Sequence, residues 1–410
     1  MTVSRISSSD LDTSDMKRNV SLRRAVALGV AAAVTCSVLT GIGVYRLVRP
    51  SGELEEIYSS LAEAQYIVDQ TFVGDYDAQE VRDAVMIGYA GGLGDRWTSF
   101  MTEEHYQNYL ESVAESTVGI GITVRQNTEE EQTSLLVLHV AHASPAEQAG
   151  FGPYDEIIAV NGKTIDELGG YEKAVDQIRG NVGESVTLRV RKYETGEQKD
   201  LTVVREEFEQ IHVASRMLPD DIGYLAIEQF TDQTDEQFEA QLEELKKQGA
   251  QALVFDLRNN PGGQLGALVN CLDPLLPEGK IISLKSKKGE TTEYTSDKNE
   301  CDLPMAVIVN PDSYSAAEFF AAALQEYEKA VIVGEQTFGK GYSQQGFPLS
   351  GGGCLNLSTN CYYTPKGESL IGKGVVPDVI VPMEKEDLER FEVLEDSEDD
   401  QLQAAIQAVR

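Results

Sequence analysis

Short apolar runs alternate with amphipathic stretches through the second half of the chain. The runs predict strands at residues 222–227, 252–257, 305–310 and 330–334, with helices at 235–247, 264–272 and 315–329 between them. Such alternation is typical of an α/β layer with largely parallel strands. Ligands of such layers bind where strands end and helices begin, so candidate chemistry is sought at that edge.

A different pattern occupies residues 116–206. Its predicted strands lie at residues 134–140, 155–161, 185–192 and 199–205, and its short helices at 145–149 and 171–179. This mixture predicts a compact module inserted ahead of the α/β layer. Residues 53–115 precede it with a helical pattern, and residues 384–410 follow the layer as an acidic helical tail with Leu402, Ile406 and Val409 as an apolar stripe.

The N-terminal region predicts a membrane anchor. Residues 25–45 carry no formal charge, and as a helix they would span roughly 31 Å, about one hydrocarbon core. Basic residues are concentrated before this segment, so the positive-inside rule predicts that residues 1–24 are cytoplasmic and that the chain beyond about residue 50 is outside the cell. A cleaved signal peptide is the less favoured alternative, because apolar residues continue without a small-residue cleavage site.

Composition argues against three classes of protein: nucleic-acid-binding proteins, disordered chains and mini-proteins. The chain has 34 Lys and Arg against 68 Asp and Glu, a net charge of −34, so nucleic acid is a poor general partner. With 41% hydrophobic residues over 410 positions, the chain is neither disordered nor a mini-protein, and its length predicts two to three domains.

Four cysteines would lie in the outer, oxidising compartment: Cys271, Cys301, Cys354 and Cys361. Two local disulfides, Cys271 with Cys301 and Cys354 with Cys361, are one hypothesis among three pairings, and four reduced buried thiols are the other. Their spacing is not that of a zinc site, so no metal is predicted.

One turn carries a candidate nucleophile. Ser315 follows the apolar run 305–310 and begins an alanine-rich helix, where free backbone N–H groups could stabilise an oxyanion beside its hydroxyl. The pattern Ser315-x-x-Glu318 is also a capping box, which needs no catalysis. The segment alone leaves both interpretations open.

A serine nucleophile needs a base, and the four histidines all lie upstream of the α/β layer. Lys340 follows the run 330–334 in a glycine-rich loop. The loop nearly spells a phosphate-binding G-x-x-x-x-G-K motif, but Gly341 occupies the position that requires Ser or Thr. In a dry pocket beside Ser315, Lys340 would favour its neutral amine and could accept the hydroxyl proton, with Gln344 holding the amine. A solvent-exposed lysine is the alternative.

In combination, these segments resemble the carboxyl-terminal processing peptidases, or tail-specific proteases, of the Ser/Lys peptidase family S41. Residues 310–318 resemble the family's N-x-x-S-x-S-x-x-E segment, and residues 337–344 resemble its base segment T-F-G-K-G-x-x-Q. The resemblance implies that Ser315 is the nucleophile, Lys340 the general base and Gln344 its orienter, and that no cofactor is needed.

Further segments match. Residues 256–263 resemble the family's oxyanion segment, so Gly262 or Gly263 would donate an N–H together with Ala316 at the helix start. Residues 94–100 resemble the signature G-D-P-Y-T-x-Y, with Arg96 in place of Pro and Trp97 in place of Tyr. Tyr314 stands where a small residue is usual.

The middle module resembles a PDZ domain. Val118, Gly119, Ile120, Gly121 and Ile122 resemble its carboxylate-binding loop, in which glycine lets successive N–H groups converge on a peptide terminus. The resemblance implies substrates with free C-terminal tails.

The predicted architecture is an α/β serine protease core with an inserted PDZ domain, an N-terminal helical segment and one transmembrane helix. The expected divisions are a cytoplasmic segment, anchor, helical region, PDZ domain, protease core and tail, at residues 1–24, 25–45, 53–115, 116–206, 207–383 and 384–410. The expected function is that of a membrane-anchored endopeptidase facing outward, which could dimerise through terminal helices. A catalytically silent, membrane-tethered PDZ scaffold is the competing hypothesis.

Overall fold

The computed structural model describes residues 53–112, 116–127 and 133–410. The predicted cytoplasmic segment 1–24 and anchor 25–45 lie outside these ranges. Among the described helices, none combines the length and apolarity needed to cross a membrane. By its internal contacts the chain divides into two units, residues 1–78 and 79–410. The described part of the first unit is mainly helix α1 (Glu53–Thr71).

The second unit begins with helices and then forms the predicted middle module. Its first elements are α2 (Ala78–Gly91), β1 (Ser99–Met101) and α3 (Glu103–Ser112). The module contains β2 (Ser116–Gly119), β3 (Ile122–Asn127), β4 (Ser134–Val140), α4 (Pro145–Ala149), β5 (Glu156–Val160), β6 (Lys163–Thr164), α5 (Ile165–Leu168), α6 (Tyr171–Ile178), β7 (Ser185–Arg191), β8 (Gln198–Val204) and β9 (Glu206–Glu209). Its main sheet has the order β3-β4-β5-β7-β8, so β3 is an edge strand.

The remaining elements form the core and the tail. They are β10 (Val213–Leu218), β11 (Ile222–Ile227), α7 (Thr234–Gln248), β12 (Ala252–Asp256), α8 (Leu265–Leu272), β13 (Gly279–Ser286), β14 (Thr291–Ser296), β15 (Met305–Val309), α9 (Ala316–Glu326), β16 (Ala330–Gly334), β17 (Tyr342–Pro348), β18 (Cys354–Tyr363), β19 (Val379–Ile380), α10 (Lys385–Glu389) and α11 (Asp400–Ala408).

The core sheet has the order β10-β11-β12-β15-β16-β19, and all its pairs are parallel except the β10–β11 pair. Successive side chains of a strand point to opposite faces of the sheet, so each apolar run contributes residues to both faces. In β12, Leu253 and Phe255 pack with the helices α7, α8 and α9, whereas Ala252 and Val254 pack against the C-terminal tail. Both faces are covered, which explains why these strands are continuously apolar.

A second sheet, of β1, β18, β13 and β14 with β17 on β18, is antiparallel. The sequence analysis did not predict it. Its strands β17 and β18 contain polar side chains at most positions, and the side chains of β17 are half-buried or exposed. They therefore lack the apolar run that marks a buried strand.

The acidic tail is part of the core. The predicted apolar stripe of Leu402, Ile406 and Val409 is buried against the core sheet, so the tail is not a solvated appendage. The Arg258 guanidinium, which lies just beyond β12, also pairs with Asp399 at 2.8 Å. The dimer expected through terminal helices stays a prediction.

All four described cysteines are free, so the hypothesis of two local disulfides is wrong. Cys354 and Cys361 are at opposite ends of one extended strand, where seven residues span about 23 Å, far beyond disulfide reach. Cys271 and Cys301 lie in the same apolar core, and burial raises the pKa of the Cys271 thiol.

Candidate active site

Ser315 lies at the N-terminus of α9 in an uncommon backbone conformation. Its φ is +60° and its ψ −120°, and its side chain is nearly buried. A non-glycine residue at such angles costs on the order of 1–3 kcal/mol and persists only where its surroundings hold it. The turn is therefore imposed by tertiary contacts around it.

Gly262 provides one of these contacts. A Cβ atom at this position would lie 2.7 Å from the Ser315 Cβ, the Ala316 nitrogen and the Tyr314 carbonyl oxygen, and its φ is +84°. Only glycine permits so close an approach at this backbone angle. The glycine loop and the Ser315 turn are thus in direct contact.

The three candidate oxyanion donors differ in their present bonds. The Gly262 N–H donates to the Asn260 side chain at 2.7 Å, so this donor is already engaged. The Gly263 backbone runs beside Phe230, where an added Cβ would be 1.9 Å from a carbonyl oxygen. No described residue accepts a hydrogen bond from the N–H of Gly263 or Ala316, so these are the two donors left from the predicted set.

Asn310 and Ser313 tie the Ser315 turn to the strand before the glycine loop. The Asn310 side chain accepts from the Asn259 N–H at 2.9 Å and donates to the Asn259 side chain at 2.7 Å. The Ser313 hydroxyl donates to the Leu257 carbonyl at 2.7 Å. These hydrogen bonds give Asn310 and Ser313 a structural role in the motif, since they hold the Ser315 turn against residues 257–259.

Glu318 joins the Ser315 turn to the Lys340 loop. Its buried carboxylate accepts from the Ser315 N–H at 2.9 Å and from the Lys340 N–H at 2.8 Å, both through Oε2. Its other oxygen accepts from the Thr337 hydroxyl and the Gly339 N–H, both at 2.6 Å. The Ser315 bond is the reciprocal bond of a capping box, and the other three bonds hold the second loop. The two candidate loops are therefore adjacent in space.

The Lys340 amine lies against aromatic side chains. Its Nζ is 4.5 Å from the centroid of the Trp97 ring and 5.8 Å from that of Tyr314. Phe338 closes the group, with ring centroids 5.4 Å from Trp97 and 5.6 Å from Tyr314. Burial lowers the pKa of Lys340, whereas the negative charges of Glu318 and Asp95 oppose this shift.

Asp95 fixes the segment that carries Trp97. Its carboxylate accepts from the Thr98 hydroxyl at 2.7 Å and from the Trp97 N–H at 3.2 Å. Burial acts to raise the pKa of Asp95, but hydrogen bonds from Ser358, Thr98 and the local backbone hold it below its usual value. Asp95 and Phe338 were missed as site residues, although Asp95 lies in the signature at 94–100 and Phe338 in the base segment at 337–344.

Gln344 lies on β17 and faces β18. Its amide nitrogen donates to the Tyr342 carbonyl at 3.1 Å and to the Ser358 hydroxyl at 3.2 Å. Within the described part of the chain, no hydrogen bond joins it to the Lys340 amine. The structure thus brings together Ser315, Lys340 and the glycine loop, but not Gln344.

The predicted carboxylate-binding loop lies at one end of β3. The Ile120 carbonyl accepts from the Ala146 N–H and the Gly121 carbonyl from the Ala141 N–H, at 2.8 and 2.9 Å. Gly121 has a φ of +82°, and a Cβ there would be 2.2 Å from the Ser144 Cβ. The loop conformation therefore requires glycine at residue 121.

This loop opens into a cavity of about 900 Å³ that the middle module shares with the core and tail. The cavity is lined by residues 118–124, by α6, by the end of β11 and by the tail around Glu392. The Glu228 carboxylate of the core lies close to two histidines of the module: its Oε2 is 3.7 Å from His139 Nε2, and its Oε1 is 3.8 Å from His142 Nε2. The groove between β3 and α6 thus faces the core and is not isolated from it.

Comparison with known proteins finds family matches for both the core and the middle module. Residues 221–381 match peptidase family S41, and residues 118–204 match a PDZ domain. A carboxyl-terminal-processing protease of Synechocystis sp. is 31% identical over 77% of this chain and 73% of its own length. A CtpA-like serine protease of Staphylococcus aureus (strain COL) is also 31% identical, over 78% of this chain, which spans 64% of that relative.

A solved structure from Bacteroides fragilis NCTC 9343, described as an S41 protease, shares the fold. It is 18% identical with a TM-score of 0.59, covering 82% of this chain and 92% of its own. The identity to the Synechocystis protease extends over most of both chains, and residues 221–381 match the S41 family. The chain therefore belongs to peptidase family S41 and carries a PDZ domain.

Proposed function

We propose that this protein is a C-terminal processing serine endopeptidase that binds the tail of its substrate in the PDZ groove and cleaves upstream of it. The observation that carries the proposal is the Glu318 carboxylate, whose single Oε2 accepts from the backbone of both Ser315 and Lys340. This contact holds the candidate nucleophile and the candidate base in adjacent loops, as a Ser/Lys mechanism requires.

In the proposed mechanism, the neutral Lys340 amine accepts the Ser315 hydroxyl proton as Oγ attacks the peptide carbonyl. The resulting oxyanion receives hydrogen bonds from the Gly263 and Ala316 N–H groups. When the intermediate collapses, the Lys340 ammonium returns its proton to the leaving amine. Water then adds to the acyl-enzyme with Lys340 again accepting a proton, and hydrolysis releases the acid and restores Ser315.

The surroundings of Lys340 support its role as the base. The Trp97, Tyr314 and Phe338 rings limit water around the amine, and desolvation favours its neutral form. For Gln344, an orienting role requires its amide oxygen to accept a hydrogen bond from the Lys340 amine, while its amide nitrogen donates to Tyr342 and Ser358.

For tail capture we propose β-strand addition. Strand β3 is an edge strand, and the loop 118–122 at its end lines the cavity together with α6. A peptide pairing with β3 would place its terminal carboxylate at the loop, so that the rest of the peptide lies in the cavity beside the core.

We also propose that residues 25–45 anchor the chain and that the PDZ domain and core face the outside of the cell. The support is the uncharged stretch itself and the excess of basic residues before it.

Replacing Ser315 by Ala should lower kcat/KM for a peptide substrate by about a thousandfold or more, because the nucleophile is lost. Lys340→Arg should have a comparable effect, since arginine stays protonated. Peptide cleavage assays with circular dichroism as a folding control would measure both. The matched controls Ser350→Ala and Lys366→Arg alter exposed side chains and should retain activity. Cleavage by a folded Ser315→Ala protein at the wild-type rate would exclude Ser315 as the nucleophile, whereas the absence of cleavage by the folded wild-type protein would favour the silent-scaffold hypothesis.

The pH profile should report on Lys340. Only the neutral amine accepts a proton, so kcat/KM should rise with pH, with a midpoint below the ordinary lysine pKa of about 10.4 because burial lowers the pKa of Lys340. His212→Gln should leave the midpoint unchanged, since this histidine lies in the cavity and not beside Ser315. Activity that begins only above the pKa of a free lysine would contradict the proposal.

A free terminal carboxylate should matter for cleavage. We expect a peptide with a C-terminal acid to be cut about tenfold faster than its C-terminal amide, because the loop 118–122 binds the charge. Val118 is half-exposed and lines the cavity, so Val118→Asp should remove this difference by charge repulsion, whereas Val118→Ala should keep it. Equal rates for acid and amide with the wild-type protein would argue against tail capture.

Membrane attachment should depend on the N-terminal segment. The full chain should sediment with membranes and a variant lacking residues 1–50 should remain in the supernatant, as immunoblots of the two fractions would show. Protease added to intact spheroplasts should digest the full chain. Protection from that protease would reverse the proposed orientation.

A further inference from the structure

Three residues that depart from the family pattern meet around Lys340. Trp97 and Tyr314 lie 6.2 Å apart between ring centroids, and the Lys340 amine contacts both. The third, Arg96, places its guanidinium carbon 4.9 Å from the Trp97 centroid and 4.5 Å from that of Phe338. The ring of Trp97 is therefore contacted by two cationic side chains.

Arg96 carries an exposed positive charge beside the aromatic side chains around Lys340. Its side chain is exposed, and no described residue gives it a hydrogen bond or an ion pair. The adjacent carboxylate of Asp95 bonds instead to Thr98 and Trp97. The chain has a net charge of −34, and the exposed guanidinium of Arg96, which shares the Trp97 ring with the candidate base, is available to an external partner.

The two rings also order the guanidinium. Stacking on Trp97 and Phe338 limits the rotamers of Arg96 while leaving its N–H donors able to bind a partner at their edge. A guanidinium held in this way matches the planar, bidentate geometry of a carboxylate. Because the protein as a whole repels acidic peptides, a local cation at the site would have a large effect on which of them are cut.

Building on the proposed peptidase function, we propose that Arg96 determines specificity by binding a carboxylate of the substrate peptide close to the bond that is cleaved. The carboxylate belongs to an acidic side chain or to the chain terminus, and these two sources share the same recognition chemistry. Trp97 and Phe338 position Arg96 through their ring contacts with its guanidinium.

Binding can be measured by tryptophan fluorescence, because Trp97 is the only tryptophan of the chain and the signal therefore reports on this position. The Ser315→Ala change prevents cleavage during the measurement. Peptides would be titrated into the full chain carrying Ser315→Ala while tryptophan fluorescence is recorded. Four matched peptides combine Asp or Asn next to the expected cleavage site with a free or amidated terminus. We expect the Asp peptides to bind about tenfold more tightly than the Asn peptides, and this preference should weaken at high salt.

Variants of Arg96 identify the source of the preference. Arg96→Gln should abolish it, Arg96→Lys should keep part of it, and Arg96→Glu should favour a peptide with Lys at the same position. Lys366→Gln removes one exposed positive charge elsewhere and should leave the preference intact. If Arg96→Gln removes a preference for the free terminus and not one for the Asp side chain, the carboxylate bound by Arg96 is the terminal one; a preference for the free terminus that Arg96→Gln leaves unchanged belongs to the loop 118–122.

Two outcomes would overturn the inference: equal affinity for acidic and neutral peptides in the Ser315→Ala protein, or an unchanged preference in Arg96→Gln. Equal weakening of all four peptides by Arg96→Gln would likewise assign Arg96 to packing against Trp97. With Ser315 intact, the same peptides test the proposed function separately. Selective binding without cleavage would sustain the role of Arg96 and reject the peptidase proposal, whereas cleavage without selectivity would do the reverse.

Discussion

The candidate site depends on one buried carboxylate. Glu318 is fully buried and accepts four hydrogen bonds, from Ser315, Thr337, Gly339 and Lys340. Burial raises the pKa of Glu318, while these bonds favour its charged form. An isolated carboxylate in this position would be costly, so the four donors and the carboxylate stabilise one another. Because three donors are backbone N–H groups, the contact specifies the path of two loops and not merely the position of one side chain.

Close backbone approach is the second constraint. The turn at Ser315 is held at a positive φ, and Gly262 fills the space in which any side chain would collide with it. Rigid contacts of this kind allow N–H groups of the glycine loop and the helix start to be positioned before a substrate arrives, which is the condition for strong oxyanion stabilisation. The same contacts explain why Asn260, Asn310 and Ser313 accompany the candidate nucleophile.

The PDZ domain and the tail are built into the same unit as the core. The tail packs on one face of the core sheet through α11, and Arg258 links it to the loop that leads to Gly262. The cavity shared by the PDZ groove, the core and the tail brings Glu228 to His139 and His142. A peptide in the groove would therefore contact groups that are connected to the glycine loop through a short series of packed residues.

The sequence by itself determined the elements whose pattern is local. The apolar runs of β11, β12, β15 and β16 and the helices between them lie where periodicity places them, because strands buried on both faces must be apolar throughout. The resemblance of two motifs to a known family likewise drew attention to the Ser315 and Lys340 loops. Tertiary structure alone decided what those loops contact: the aromatic side chains around Lys340, the contact of Gly262 with the Ser315 turn, the position of Gln344 on β17 against β18, and the burial of the tail. These features depend on contacts between residues far apart in the chain, and local patterns of polarity carry no information about such distances.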